Sequence, residues 1–180
     1  DSAGFANVQG EWEWGAPTYP VGLTAHSGAI VWGTDLDGAA DEATAHHVLA
    51  RQIDLPPSSQ LLLTWWDWLD LESDDGARVT VDGQTVYAVV SQSQRAWTQH
   101  AVDLAPWAGR RVQVAFVLDL AGSEPGPAGW YIDDLALLGC QPEPGLYFVP
   151  AQVTNASCTG TAQEQAFALH NWTGATGTFT

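Results

Sequence analysis

Twenty-one carboxylates stand against five arginines and no lysine in this sequence, so oxygen chemistry is what its charged side chains can do. Calcium takes about six to eight oxygens at roughly 2.3–2.6 Å, carboxylates supplying charge and backbone carbonyls completing the shell. The candidate ligands are Asp35 and Asp37 in Thr34-Asp35-Leu36-Asp37-Gly38, Glu72 in the acidic run Asp70 to Asp75, and Asp133 with Asp134 inside an apolar stretch. These are three separate segments that a β-fold can bring together around one structural ion. Adjacent strand residues point to opposite faces, so at most one of Asp133 and Asp134 is expected in a given site, the other capping a turn. Neither acidic loop is an EF-hand: Asp70, Glu72 and Asp74 start the pattern, but glycine comes one place late at Gly76 and the twelfth position is Val81. The plainer reading of the acidic run is a solvated loop closing a strand.

Catalytic constellations are thin. HExxH is absent, and His46 and His47 are adjacent, which prevents both from facing one metal. Ser27 lies in His26-Ser27-Gly28, not in a G-x-S-x-G elbow, and Ser123 lacks a strand-to-helix context. Gly122, Gly126 and Gly129 sit in a proline-broken loop with no helix after it, so they make no phosphate cradle. Glycosidase carboxylate pairs are defined by separation in space, which the sequence leaves open. No catalytic residue is assigned, and the chain reads as one that binds rather than reacts.

Ten tryptophans offer a second chemistry, stacking on a sugar ring. Trp65, Trp66, Trp97 and Trp130 fall in strand-like runs and read as core, whereas Trp12, Trp14 and Trp107 are expected outside it and are the candidate sugar contacts. A net charge of -16 opposes nucleic acid and anionic membranes as partners and leaves cations, neutral sugars or a basic protein surface.

The elements that must position these groups are strands. Leu61 to Gly76, LLLTWWDWLDLESDDG, is the organising one: alternation puts Leu61, Leu63, Trp65, Leu69 and Leu71 on one face and Leu62, Trp66 and Trp68 on the other, a central strand apolar on both sides that runs into acid. Before it, Asp1 to Gly15 reads as one edge strand, Ala29 to Gly33 as a short buried strand, and His46 to Leu55 as a strand closed by Pro56-Pro57. After it, Ala77 to Val81 and Thr85 to Val90 flank Asp82-Gly83, the strongest hairpin signal in the chain. Trp97 to Leu104, Arg111 to Leu120 and Gly129 to Gly139 complete about eight short strands with no convincing long helix, the pattern of an all-β antiparallel sandwich, a jelly roll.

That domain spans residues 1–140. Residues 141–146 read as a stiff linker, and 147–180 as a β-rich segment too short to bury a core alone. Cys140 and Cys158 have no zinc-spaced partners and read as one disulfide, which points outside the cytosol. With no leader-like stretch and no apolar run of about 18 residues, the chain reads as a mature or excised piece without membrane insertion.

Four motifs in order, AHSGAIVWGTDLDG (25–38), DLESDDG (70–76), WTQHAVDLAPWAGRRVQVAFVL (97–118) and GWYIDDLALLG (129–139), resemble the MAM-like jelly-roll domain of secreted bacterial proteins, which accompanies immune inhibitor A-type peptidases. The tail from Cys158 to Phe179 is similar to the opening strands of an immunoglobulin-like module. The resemblance implies an extracellular or cell-surface, non-catalytic, calcium-stabilised accessory module that positions neighbouring domains. Two other functions fit the residues: carbohydrate binding through exposed Trp, and a structural subunit of a surface array or filament, a homo-oligomer formed by strand exchange through the tail.

Overall fold

The computed structural model describes residues 2–40, 46–91, 93–121 and 126–140. The strands are β1 (Ala6–Gln9), β2 (Trp12–Gly15), β3 (Val31–Thr34), β4 (His46–Asp54), β5 (Gln60–Asp70), β6 (Gly76–Val81), β7 (Gln84–Val90), β8 (Gln94–Asp103), β9 (Arg111–Asp119) and β10 (Gly129–Cys140). They pair antiparallel in two five-stranded sheets, ordered β1-β4-β9-β6-β7 and β2-β3-β10-β5-β8. From β3 onward most successive strands change sheet, the jelly-roll arrangement expected from the sequence. Among the described residues the helical piece is a single 3-10 turn at Ala105–Trp107.

Period-two alternation sets the core. Leu61, Leu63, Trp65 and Leu69 of β5 are buried against the first sheet, with Leu71 just beyond the strand. At the centre Trp65 meets Phe116 edge-on at 5.5 Å, and Phe116 meets Trp130 at 5.5 Å, both within the range favoured by aromatic quadrupoles. The other side of β5 departs from expectation. Trp68 is buried under a loop, Trp66 is half-buried and Leu62 is exposed. The strand also lies second from an edge, with β10 at the middle of its sheet.

Asp67 occupies a core-facing position of β5 and is 1% exposed. Its Oδ2 accepts the indole N–H of Trp65 at 3.2 Å and of Trp130 at 3.1 Å, while its Oδ1 meets His100 Nε2 at 2.9 Å. A buried carboxylate persists only where donors replace its water, and here two of the core tryptophans supply them.

The N-terminal segment is not one edge strand. It forms β1 in the first sheet and β2 in the second, with Gly10 between them at φ +80°. A Cβ on Gly10 would lie 2.6 Å from His47 Nδ1, so the crossing needs glycine for both conformation and space. Asp82 (φ +48°) and Gly83 (φ +79°) close the β6–β7 hairpin in a two-residue turn between Val81 and Gln84, as predicted.

Two of the three tryptophans expected outside the core are in it. Trp12 is 3% exposed and packs 5.8 Å from Trp130, because even an edge strand keeps one face on the sandwich interior. Trp107 is 8% exposed, turned inward by the 3-10 turn. Trp14, at 36% exposure, is outside as expected.

Candidate functional site

The site starts from an irregularity in β10. Strand β10 meets β3 at Tyr131 and Ile132, and its register against β5 shifts between Asp133 and Ala136. Asp134 sits at φ +48° in this bulge, a left-handed conformation that Asp tolerates better than most residues. The bulge cancels the alternation expected for two neighbouring aspartates. Both carboxylates converge on one residue: the Ser27 N–H donates to Asp133 Oδ2 at 3.0 Å, and Ser27 Oγ donates to Asp134 Oδ1 at 2.6 Å. Alternation in the sequence admits only one of them to a site where the structure puts both.

Ser27 belongs to a strap that crosses the second sheet on the side away from the core. His26 Nδ1 meets Asp134 Oδ2 at 2.7 Å, and its ring stacks on Trp66 with centroids 3.8 Å apart and planes at 15°. Trp97 of β8 donates its indole N–H to the Thr24 carbonyl at 3.0 Å. Beneath the strap, Tyr19, Leu23 and Ala25 pack on Val31, Trp68 and Tyr131, a hydrophobic cluster separate from the main core. From sequence, Ala25 to Gly28 reads as a plain turn and Trp66 as core. A His-Ser pair facing an Asp-Asp pair about a hundred residues away carries no local signal.

Between strap and bulge lies a groove of about 810 Å³. Trp14, Trp32 and Ile30 line it together with Trp66, Thr64 and Gln99. Ile30 is 45% exposed beside the exposed Trp14. Asp133 and Asp134 supply its charge. Burial holds the Asp133 carboxyl above the usual carboxylate range; the N–H groups of Ser27 and Asp134 oppose that shift, the Asp134 charge adds to it and His26 offsets it. Ser27 and His26 both bind Asp134 rather than each other, so this is not the nucleophile–base pair that acyl transfer needs. The groove offers aromatic surface and hydrogen-bond acceptors.

The remaining acids do not join it. Asp35 turns in on its own loop: its Oδ1 accepts the Asp37 N–H at 3.2 Å, and a Cβ on Gly38 would lie 2.7 Å from its Oδ2. Burial first, then the hydrogen bond and charge of the Asp37 side chain, push the Asp35 carboxyl upward, against backbone N–H groups that lower it. Glu72 is exposed in a different loop. Among the described residues no three His, Cys, Asp or Glu side chains gather closely enough to hold a metal; Asp35 and Asp37 share one loop, Glu72 lies in another, and Asp133 and Asp134 sit together in the β10 bulge. In the acidic run, Asp70 accepts the Arg95 guanidinium and the Ser93 hydroxyl, and the fully buried Asp75 accepts the Glu72 and Ala121 N–H groups. These two close a strand end as buried, hydrogen-bonded carboxylates rather than as the solvated loop of the plainer reading. The Cys140–Cys158 pairing and the segment 147–180 lie outside the described residues. No helix among the described residues is long and apolar enough to cross a membrane.

No family model matches the chain. It is 32% identical over 138 residues to Bacillopeptidase F of Bacillus subtilis, covering 73% of this chain and 10% of that protein. It is 29% identical over 105 residues to the pre-pro-metalloprotease PrtV of Vibrio cholerae, covering 49% of this chain and 11% of that protein. The chain thus spans about a tenth of the length of the curated relatives it matches. Among solved structures, the K3 cleaved adhesin domain of Lys-gingipain from Porphyromonas gingivalis superposes with a TM-score of 0.51 at 14% identity, covering 75% of this chain and 91% of that one. That likeness is one of fold. A β-sandwich matching small parts of much longer peptidases fits the secreted accessory β-domain that the sequence motifs resemble.

Proposed function

We propose that this chain is a non-catalytic extracellular binding module, carried beside other domains of a larger protein, and that the groove between the strap and the β10 bulge is its ligand face. The observation that carries this reading is the groove itself, where exposed aromatic surface adjoins polar groups already fixed by backbone donors. Preorganised polar atoms beside an apolar platform are what recognition needs. The lining favours carbohydrate, since Trp14 presents a ring for stacking and the aspartates accept hydroxyl hydrogens. Matches to parts of peptidases support a role in holding a neighbouring catalytic domain near its substrate.

Calcium enters only as a further proposal, resting on the charge of -16. Unfolding with millimolar calcium and again with chelator tests it. A rise lost on Asp35→Asn with Asp37→Asn supports a role for that turn, and no rise removes calcium from the account.

The binding reading is tested by mixing the purified chain with soluble and insoluble polysaccharides and following both retention and the release of reducing ends. Retention without release is expected. Release of reducing ends that disappears in Asp133→Asn would make the module an enzyme instead.

A further inference from the structure

We infer that the groove selects glycans that carry no acidic groups, an uncharged and hydroxyl-rich oligosaccharide being its ligand. This inference rests on the reading of the groove as the ligand face. It concerns the balance of donors, acceptors and charge that a ligand would meet there.

The four carboxylate oxygens of the bulge each hold one donor from the chain. Asp133 accepts the Asp134 N–H at 2.7 Å and the Ser27 N–H at 3.0 Å, while Asp134 accepts Ser27 Oγ at 2.6 Å and meets His26 Nδ1 at 2.7 Å. A carboxylate offers about four lone-pair sites, so each aspartate has acceptor capacity left. Ser27 has spent its hydroxyl hydrogen on Asp134, and Thr64 Oγ1 is directed at the Ala136 carbonyl at 3.5 Å. Around the bulge the groove therefore presents mainly acceptors, for which the ligand must bring the donors, while Gln99 adds a side-chain amide that both donates and accepts. Sugar hydroxyls do so; the carboxylates and sulfates of acidic glycans do not.

Charge points the same way. No arginine lines the groove. Arg78, Arg95 and Arg110 are tied to Asp119, Asp70 and Asp82, and Arg51 donates to the Ala3 carbonyl. An anionic sugar would meet two aspartates that no arginine offsets, His26 being their one basic neighbour and already engaged by Asp134, within a chain of charge -16. Like charges set face to face in a partly desolvated site oppose binding strongly and are screened less than surface charges. The anchored strap keeps these acceptors in place before any ligand arrives, which lowers the ordering cost of binding.

The test is calorimetric titration of the intact chain with three probe sets at matched length: neutral hexose and N-acetylhexosamine oligosaccharides, oligogalacturonates, and chitosan oligomers with free amines. At least one neutral set is expected to bind, oligogalacturonates about tenfold or more weaker, and chitosan no tighter than its N-acetylated form at physiological salt. Asp134→Asn should narrow the gap between neutral and acidic sugars, while Gln99→Ala weakens both alike. Acidic sugars binding as tightly as neutral ones overturns the selectivity but leaves the ligand face standing. Chitosan binding far more tightly than its N-acetylated form overturns it in favour of a cation site. If no glycan binds, or if binding is unchanged in Trp14→Ala, the ligand face itself falls and the selectivity with it.

Discussion

His26 lies flat on Trp66, ring centroids 3.8 Å apart and planes at 15°, so a loop residue covers an aromatic face that the second sheet would otherwise turn to solvent. The same imidazole holds Asp134 at 2.7 Å, and this one residue joins the strap to both sides of the groove.

Truncating it tests that joint. His26→Ala removes a stacked pair worth about 0.5–1.5 kcal/mol and should lower Tm by a few degrees, since about 1 kcal/mol corresponds to roughly 2–4 °C at this size. Exposure of Trp66 should appear as stronger quenching of its fluorescence by acrylamide. Unchanged Tm and quenching would mean that the strap is held by the Tyr19, Leu23 and Ala25 cluster alone.

Asp67 is a different kind of polar group, 1% exposed and sharing its two oxygens among Trp65, Trp130 and His100. Asp67→Ala leaves two indole N–H groups and an imidazole without their acceptor in the core. The expected loss is about 3–5 kcal/mol, as for a broken buried ionic contact, measured by urea unfolding. Asp67→Leu with His100→Phe should recover only the share that belongs to the imidazole and to lost packing, because the Trp65 and Trp130 N–H groups still lack an acceptor.

Alkaline stability carries the mark of Tyr87, whose pKa is pushed up to about 12 by burial and then by the Asp67 charge. A raised pKa means that the folded chain holds this proton more tightly than the unfolded chain does. The contribution is complete below about pH 10, the unfolded value, and is lost as pH rises toward 12. Between those limits wild type should lose stability more steeply than Tyr87→Phe in unfolding curves taken at stepped pH. Parallel slopes would show that Tyr87 ionises as freely in the folded chain as in the unfolded one.

Two glycines separate conformational from steric demand. Gly83 has φ +79°, and a Cβ there would meet nothing within 4 Å, so Gly83→Ala should cost about 1–2 kcal/mol from the left-handed backbone alone. At Gly33 a Cβ would stand 2.5 Å from Leu36 and 2.7 Å from Tyr131, and Gly33→Ala should destabilise more, by displacing the cluster beneath the strap. Equal effects in chemical denaturation would contradict that division.

The fold was legible because it is written in local pattern. Alternation in Leu61 to Leu71 and the Asp82-Gly83 turn each specify a strand or a hairpin from neighbours in sequence. What escapes a reading of the sequence depends on distant pairing. Trp12 and Trp107 look like surface aromatics until packing places Trp12 on Trp130 and the 3-10 turn carries Trp107 inward. Asp133 and Asp134 look like opposite-facing neighbours until a bulge turns both toward Ser27. Asp67 sits inside an apolar run where three partners, two of them more than thirty residues away, decide whether a carboxylate can be buried. In the acidic run Asp70 and Asp75 hold Arg95, Ser93 and backbone N–H groups, partners that carboxylate spacing does not encode.

The most direct measurement follows the ten indole N–H resonances by NMR while the chain is titrated with the tightest neutral oligosaccharide found. The account predicts saturable shifts at Trp14 and Trp66, with the core indoles of Trp65 and Trp130 unmoved, and loss of those shifts in Trp14→Ala. Saturable binding that leaves Trp14 and Trp66 untouched would place the ligand elsewhere and contradict the groove as the binding face.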